Sequence, residues 1–290
     1  MIIIGGTASN DIHVKLSEIL GVKSYTVHSK IFPDGESYVR LPVKVEGEDV
    51  VVVQSTYPPQ DKHLVELMIL LDAVKQGKAK TITAIIPYLA YARQDKVFLE
   101  GEGISVRAIL KALRGLGVDK LIVVDPHGMS LKYFEGEAYE ASAVEDLALY
   151  FKNNVDLGDV AIVAPDLGAI DRANRFAKVI GVEDVSYIKK FRDRVTGEIK
   201  MEIKELNVKG KDVIIVDDII STGGTIAKAT RIIYELGGRR VYAACTHPLL
   251  VGNAEVKLKE AGVVDIIATD SIPSKYSKAV SYTHLTLPTN

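Results

Sequence analysis

Short runs of β-branched residues alternate along the chain with stretches whose apolar residues recur at helical spacing. The runs predict strands over Val50–Val53, Thr81–Ile86, Lys120–Val124, Ala161–Val163, Asp212–Val216 and Arg240–Ala244. Between them the spacing predicts helices over Lys62–Lys75, Ser105–Leu116, Asp171–Ile180 and Thr225–Leu236. A strand buried on both faces reads as an unbroken apolar run, so the pattern implies α/β, Rossmann-like architecture with mostly parallel sheets.

The two halves resemble each other. Gly47-Glu-Asp-Val-Val-Val-Val is matched by Gly210-Lys-Asp-Val-Ile-Ile-Val, 163 positions on. Upstream, a strand, a glycine-bearing turn and a helix ending Leu20-Gly21-Val22 match a block ending Ile180-Gly181-Val182, 160 positions on. Two similar offsets imply a duplicated α/β domain with its boundary between residues 140 and 155. The expected division is residues 1–145, residues 146–280 and a tail, 281–290, which has no amphipathic period and reads as foreign to the rest.

Composition narrows the class. A chain of 290 residues, 47% hydrophobic and 26% charged, can bury a substantial core. Its net charge of -2 with interspersed signs gives no field for nucleic acid or anionic membrane. The single cysteine, Cys245, cannot form an intrachain disulfide, and Met1–Gly6 lacks the pattern of a signal peptide. No apolar run approaches the ~20 residues needed to span a bilayer. These features predict a cytoplasmic protein without nucleic-acid or membrane partners.

The segment Asp217-Asp218-Ile219-Ile220-Ser221-Thr222-Gly223-Gly224-Thr225 carries the chemistry, because it lies between a buried strand and a helix. Ligands bind at the carboxyl ends of strands in open α/β sheets, and a glycine turn entering a helix offers backbone N–H groups to an anion. Ser221, Thr222 and Thr225 add hydroxyl donors, while Asp217 and Asp218 can accept hydrogen bonds from vicinal sugar hydroxyls. A capped helix after a glycine turn explains the serine and threonine but not the paired carboxylates. The segment is therefore expected to hold a ribose phosphate.

That segment resembles the phosphoribosyl-binding loop of the phosphoribosyltransferase-fold families. Further motifs, Phe32-Pro33-Asp34-Gly35-Glu36, Tyr88 with Tyr91-Ala92-Arg93-Gln94-Asp95, Asp125-Pro126-His127-Gly128, Ala164-Pro165-Asp166-Leu167-Gly168 and Cys245-Thr246-His247-Pro248, stand in the order seen in ribose-phosphate pyrophosphokinases of archaeal type. The resemblance covers roughly residues 1 to 280.

It implies two phosphoribosyltransferase-type domains and a reaction in which ATP donates its β,γ-pyrophosphoryl group to the 1-hydroxyl of ribose 5-phosphate. Phe32, Asp34, Gly35 and Glu36 are implied to read adenine, Arg93, Gln94 and Asp95 to meet the triphosphate, and His127 and Asp166 to lie against magnesium carried by ATP. Asp166, Arg192 and the segment Asp217, Asp218, Ser221, Thr222, Gly223, Gly224 and Thr225 are implied to hold ribose 5-phosphate. From the residues alone, Lys189-Lys190-Phe191-Arg192-Asp193-Arg194 with Thr196-Gly197 reads as a solvated hairpin. The resemblance makes it a catalytic arm, with Lys190 chosen over Lys189 because Lys-x-Arg spacing pairs it with Arg192. A homo-oligomer, a dimer or a hexamer of dimers, is also implied, with the Phe32 loop reaching the ATP site of a neighbouring subunit.

Ser221 departs from the acidic residue that many bacterial and eukaryotic members carry, and a serine remains a competent donor. A phosphoribosyltransferase would share Asp217–Thr225 without the adenine-reading turn, and a silent regulatory homologue would have no use for His127, Lys190 and Arg192.

Overall fold

The computed structural model describes residues 1–183, 185–192, 199–203, 207–283 and 285. The chain divides into two compact units, one of Met1–Ser142 with the described residues from Ser281 onward, the other Ala143–Val280. Residues 193–198 of the charged stretch, and His284 and residues 286–290 of the tail, lie outside the described residues.

In the first unit β1 (Ile2–Gly5) leads through α1 (Ile12–Leu20) to β2 (Ser24–Thr26), β3 (His28–Ile31) and β4 (Ser37–Arg40). There follow β5 (Asp49–Val53), α2 (Gln60–Gln76), β6 (Thr81–Ile86), α3 (Ser105–Gly115), β7 (Lys120–Val124) and β8 (Glu137–Ala141). The sheet runs β2-β1-β5-β6-β7-β8 with parallel pairing throughout, while β3 and β4 form a separate antiparallel ribbon. Val106, Ile109, Leu110 and Leu113 put one stripe of α3 into the core beside Leu67, Leu70, Leu71 and Val74 of α2. Both stripes meet Val50, Val52, Ile82, Ala84, Leu121 and Val123 of the sheet.

In the second unit α4 (Val144–Asn154) precedes β9 (Val160–Ala164), α5 (Ile170–Ile180), β10 (Val185–Arg192) and β11 (Ile199–Ile203). After these come β12 (Asp212–Ile220), α6 (Gly224–Glu235), β13 (Arg240–Pro248), α7 (Ala254–Glu260), β14 (Val263–Thr269) and β15 (Ser277–Ala279). Alternation along β12 divides the core: Val213 and Ile215 pack with α6, while Ile214 and Val216 pack with α4 and α5.

The sheet order β10-β9-β12-β13-β14-β15 repeats that of the first unit strand for strand, with β11 added antiparallel at the β10 edge. The repeat extends to single hydrogen bonds. Gly47 and Gly210 each precede the central strand at φ 74°, a left-handed value that suits glycine. Their N–H groups donate to Lys78 O at 2.9 Å and Gly237 O at 2.8 Å respectively.

Helices α2, α3, α5 and α6 match their expected spans to within one or two residues at each end, the ordinary fraying range, whereas α4 and α7 had no expected counterpart. The strands β12 and β13 run four residues further than the apolar pattern indicates. Their pairing continues through Asp217↔Cys245, Ile219↔His247 and Ile220↔Pro248, so the paired carboxylates stand on a strand end and the connecting turn is only Ser221–Gly223.

At the other end of β12, the fully buried Asp212 accepts from Gly158 N at 2.9 Å, from Arg239 Nε at 2.8 Å and from Arg240 Nε at 3.0 Å. Chiefly the hydrogen bond from Arg240 holds its carboxyl far below the usual carboxylate range. Asp212→Asn is expected to lower unfolding stability by about 2 kcal/mol, because it removes the charge that both guanidinium groups share. A carboxyl whose folded pKa is depressed contributes fully above the unfolded value of about 4 and loses that contribution as pH falls below it. Urea midpoints of wild type and variant should therefore differ at pH 7 and draw together progressively as pH falls below about 4.

Candidate active site

The turn after β12 is tied down through its carbonyls. Ile220 O accepts from Leu250 N at 2.9 Å, Ser221 O from Val251 N at 3.1 Å and Thr222 O from Lys257 Nζ at 2.9 Å. In a planar trans peptide the carbonyl and the following N–H point in opposite directions. Turning these three carbonyls toward the segment after β13 and toward α7 therefore turns the N–H groups of Ser221, Thr222 and Gly223 the other way. The N-terminus of α6 follows directly at Gly224, with no acidic residue in its first turn. Such an array of donors at the positive end of a helix dipole is an anion cradle. Gly223 holds it in shape at φ 70°, and a Cβ there would lie 3.0 Å from Leu258 Cγ.

Carboxylates gather beside this cradle. Asp217 Oδ1 accepts from Asp218 N and Asp218 Oδ1 from Ile219 N, each at 2.9 Å. At the end of the neighbouring β9, Asp166 accepts from Gly168 N at 3.1 Å and caps the turn into α5. Burial first, then the charge of Asp218, pushes the Asp217 carboxyl well above its ordinary range. Asp166 adds to that push and Arg172 opposes it. Arg172 also pairs with Asp218 at 3.7 Å, both side chains being largely buried. Sequence reasoning missed Arg172, since it reads as one more polar residue on a surface helix; the available signal was a cation six positions after Asp166 in the same strand-turn-helix corner. Cys245, in register with Asp217, is fully buried, and burial pushes its thiol far up, which leaves it inert.

The first unit keeps the framework of this site without its chemistry. Gln54 follows β5 where Asp217 lies 163 positions on, and its Oε1 accepts from Ala8 N at 2.9 Å. Pro58 and Pro59 then enter α2, and neither offers an N–H. Neither carboxylate pair nor donor array is present there.

Other groups occupy the first unit. Phe32, Asp34, Gly35 and Glu36 form the tip of the β3–β4 ribbon: Gly35 N donates to Phe32 O at 2.8 Å, and Glu36 N to Asp34 Oδ1 at 3.2 Å. Phe32 stands edge-on to Tyr38 with centroids 5.8 Å apart, and Lys30 Nζ lies 4.6 Å from its ring centre. Ser29 of the ribbon donates to the buried Glu66 of α2 at 3.3 Å, which fastens the ribbon to that helix. Arg93, Gln94 and Asp95 follow β6, and His127 follows β7. The structure brings Asp95 to the His127 turn: a Cβ at Gly128 would lie 3.2 Å from Asp95 Oδ2, and Tyr133 OH donates to Asp95 O at 2.7 Å. Asp125, buried beneath that turn, accepts from Ser142 Oγ at 2.7 Å.

Lys190 and Arg192 lie on β10, with backbones in register with Met201 and Ile199 of β11, so the charged stretch enters an antiparallel pair.

The chain matches the family model for the N-terminal domain of ribose phosphate pyrophosphokinase over residues 1–117 and that for the phosphoribosyl transferase domain over residues 135–284. It is 49% identical to a ribose-phosphate pyrophosphokinase of Saccharolobus solfataricus, over 94% of this chain and 93% of that one. Identity is also 49% to the corresponding protein of Sulfurisphaera tokodaii, over 96% and 95%. Among solved structures, phosphoribosylpyrophosphate synthetase from Mycobacterium smegmatis superposes with a TM-score of 0.84 at 32% identity, covering 97% of this chain and 92% of that one. With its two parallel-sheet units, its anion cradle and these matches along nearly its full length, the chain belongs to the ribose-phosphate pyrophosphokinase family.

Proposed function

We propose that this chain transfers the β,γ-pyrophosphoryl group of ATP to the 1-hydroxyl of ribose 5-phosphate, giving 5-phosphoribosyl 1-pyrophosphate and AMP for nucleotide biosynthesis. The turn Ser221–Gly223, with its carbonyls tied away and α6 behind it, is the observation that carries this reading. The 5-phosphate sits on the N–H groups of Ser221, Thr222, Gly223, Gly224 and Thr225. Asp217 and Asp218 accept from the ring hydroxyls, with Arg172 setting the orientation of Asp218. Phe32, Asp34, Gly35 and Glu36 read adenine, and Arg93, Gln94, Asp95 and His127 meet the phosphates.

The sugar 1-hydroxyl gives up its proton to solvent and attacks the β-phosphorus, the bond from that phosphorus to the oxygen shared with the α-phosphorus breaks, and AMP leaves with that oxygen. Lys190 and Arg192 place positive charge where negative charge grows on the transferred group, so no protein nucleophile is needed. Magnesium fits the chemistry of the donors present, since Asp166 after β9 offers hard carboxylate oxygens. Among the described residues no three His, Cys, Asp or Glu side chains form a cage for a metal ion. That would suit magnesium carried by ATP, which takes few protein ligands, with His127 and Asp166 the residues assigned to hold it. When bound, the ion neutralises and orients the ATP phosphates.

Further parts of the reading are a homo-oligomer, with the Phe32 ribbon contributing to the ATP site of a neighbouring subunit, and a cytoplasmic location. Among the described residues no helix is long and apolar enough to cross a membrane. A phosphoribosyltransferase would need the anion cradle but no adenine-reading ribbon, which favours the pyrophosphokinase.

With ATP, magnesium and ribose 5-phosphate, AMP should appear mole for mole with pyrophosphorylated sugar; ADP as the nucleotide product, or no turnover, would overturn the assignment. Lys190→Ala should lower kcat by at least about a hundredfold with KM for ribose 5-phosphate little changed, as for a contact made in the transition state. Gly223→Ala forces a side chain into a left-handed conformation at a cost of about 1–2 kcal/mol. It should weaken ribose 5-phosphate binding by calorimetry more than it weakens ATP binding.

A further inference from the structure

Between Asp95 and α3 the chain makes an exposed loop that carries three large apolar residues outward. Val97, Phe98 and Leu99 are 51%, 57% and 70% exposed. A loop with its apolar side chains in solvent is not held by burial, so its shape must come from polar contacts. One atom supplies most of them. Glu102 Oε2 accepts from Phe98 N at 2.8 Å, from Leu99 N at 3.0 Å and from Gln94 Nε2 at 3.3 Å. Glu102 N returns a bond to Leu99 O at 3.2 Å, and Gly101, at φ 88°, lets the chain turn back. The same Gln94 amide donates to Lys96 O at 3.2 Å.

These bonds close the loop on its own base, and the base is the segment assigned to the ATP phosphates. That segment is fastened at two further points: Tyr91 OH donates to Asp61 on α2, and Tyr133 OH donates to Asp95 O at 2.7 Å. Gln94 lies between them, and its side-chain amide donates into the loop, to Lys96 O and Glu102 Oε2.

We propose that Glu102 is a positioning residue for nucleotide binding, its one carboxylate oxygen locking Gln94 and the Phe98–Leu99 turn so that Arg93, Gln94 and Asp95 are presented to the ATP phosphates in a single arrangement. The inference rests on the reading that those three residues contact ATP. Hydrogen bonds to a charged acceptor are the strong ones, and three converging donors make the acceptor's geometry, rather than packing, the restraint. Chiefly the N–H groups of Leu99 and Phe98 hold the Glu102 carboxyl below its ordinary range, as such an acceptor should be.

The test uses the full-length enzyme and three variants. Glu102→Ala should raise KM for magnesium-ATP about tenfold, the equivalent of about one hydrogen bond to a charged group. KM for ribose 5-phosphate and the melting temperature should stay near wild type, since the loop buries little. Glu102→Gln keeps a carbonyl oxygen able to accept the same donors and should recover most of the lost ATP affinity. Arg93→Ala is the control for the underlying reading and should itself raise KM for ATP. An unchanged KM in Glu102→Ala alongside a raised one in Arg93→Ala overturns the role of Glu102 and leaves the nucleotide site standing. Unchanged values in both overturn the nucleotide assignment, and with it the inference. A Glu102→Gln enzyme as impaired as Glu102→Ala also overturns it, because an acceptor oxygen in the same place would then fail to position the segment.

Discussion

A peptide unit cannot aim its carbonyl and its N–H in the same direction, and the turn after β12 makes that constraint into a binding surface. Three successive carbonyls, of Ile220, Ser221 and Thr222, are satisfied from one side by Leu250, Val251 and Lys257. The donors left on the other side converge where α6 begins. Leu250 and Val251 come just after β13, so the cradle depends on β12 and β13 staying paired as far as Ile220↔Pro248. The added length of these two strands is thus part of the site.

Duplication gave the chain two copies of one framework, and only one copy carries the paired carboxylates and the glycine turn. Strand order and the Gly47 and Gly210 turns agree between the copies. The loop after the central strand does not: the second unit has carboxylates and glycines, the first has Gln54 and two prolines. The glutamine commits its carbonyl to Ala8 N within its own unit. The first unit bears instead the β3–β4 ribbon and the Arg93–Asp95 segment, which are proposed to meet ATP.

Electrostatics around the turn after β12 is arranged by position rather than by total charge. A chain of net charge -2 concentrates Asp166, Asp217 and Asp218 at neighbouring strand ends and admits Arg172 as a buried counterweight. Desolvated carboxylates of like charge raise one another's pKa, and hydroxyl donors or a magnesium ion relieve them. At the far end of β12 the logic is reversed: Asp212 is surrounded by two guanidinium groups and serves stability.

The sequence by itself determined the alternation of strands and helices, the duplication and the segment Asp217–Thr225, because each is written in neighbouring residues: apolar periodicity, a repeated block, glycines after paired carboxylates. The ribbon strands β3 and β4 and the short β8 and β15 escaped it, since strands of three to five residues with exposed positions carry too little pattern. Tertiary structure alone decided how far β12 runs, which way the turn's carbonyls point, that Arg172 pairs with Asp218 and that Glu102 ties down the Phe98–Leu99 turn. Each of these depends on a partner from elsewhere in the fold or, for Glu102, on backbone N–H groups that no side chain reveals. A linear pattern reports which faces avoid water; it does not report which donor will meet which acceptor.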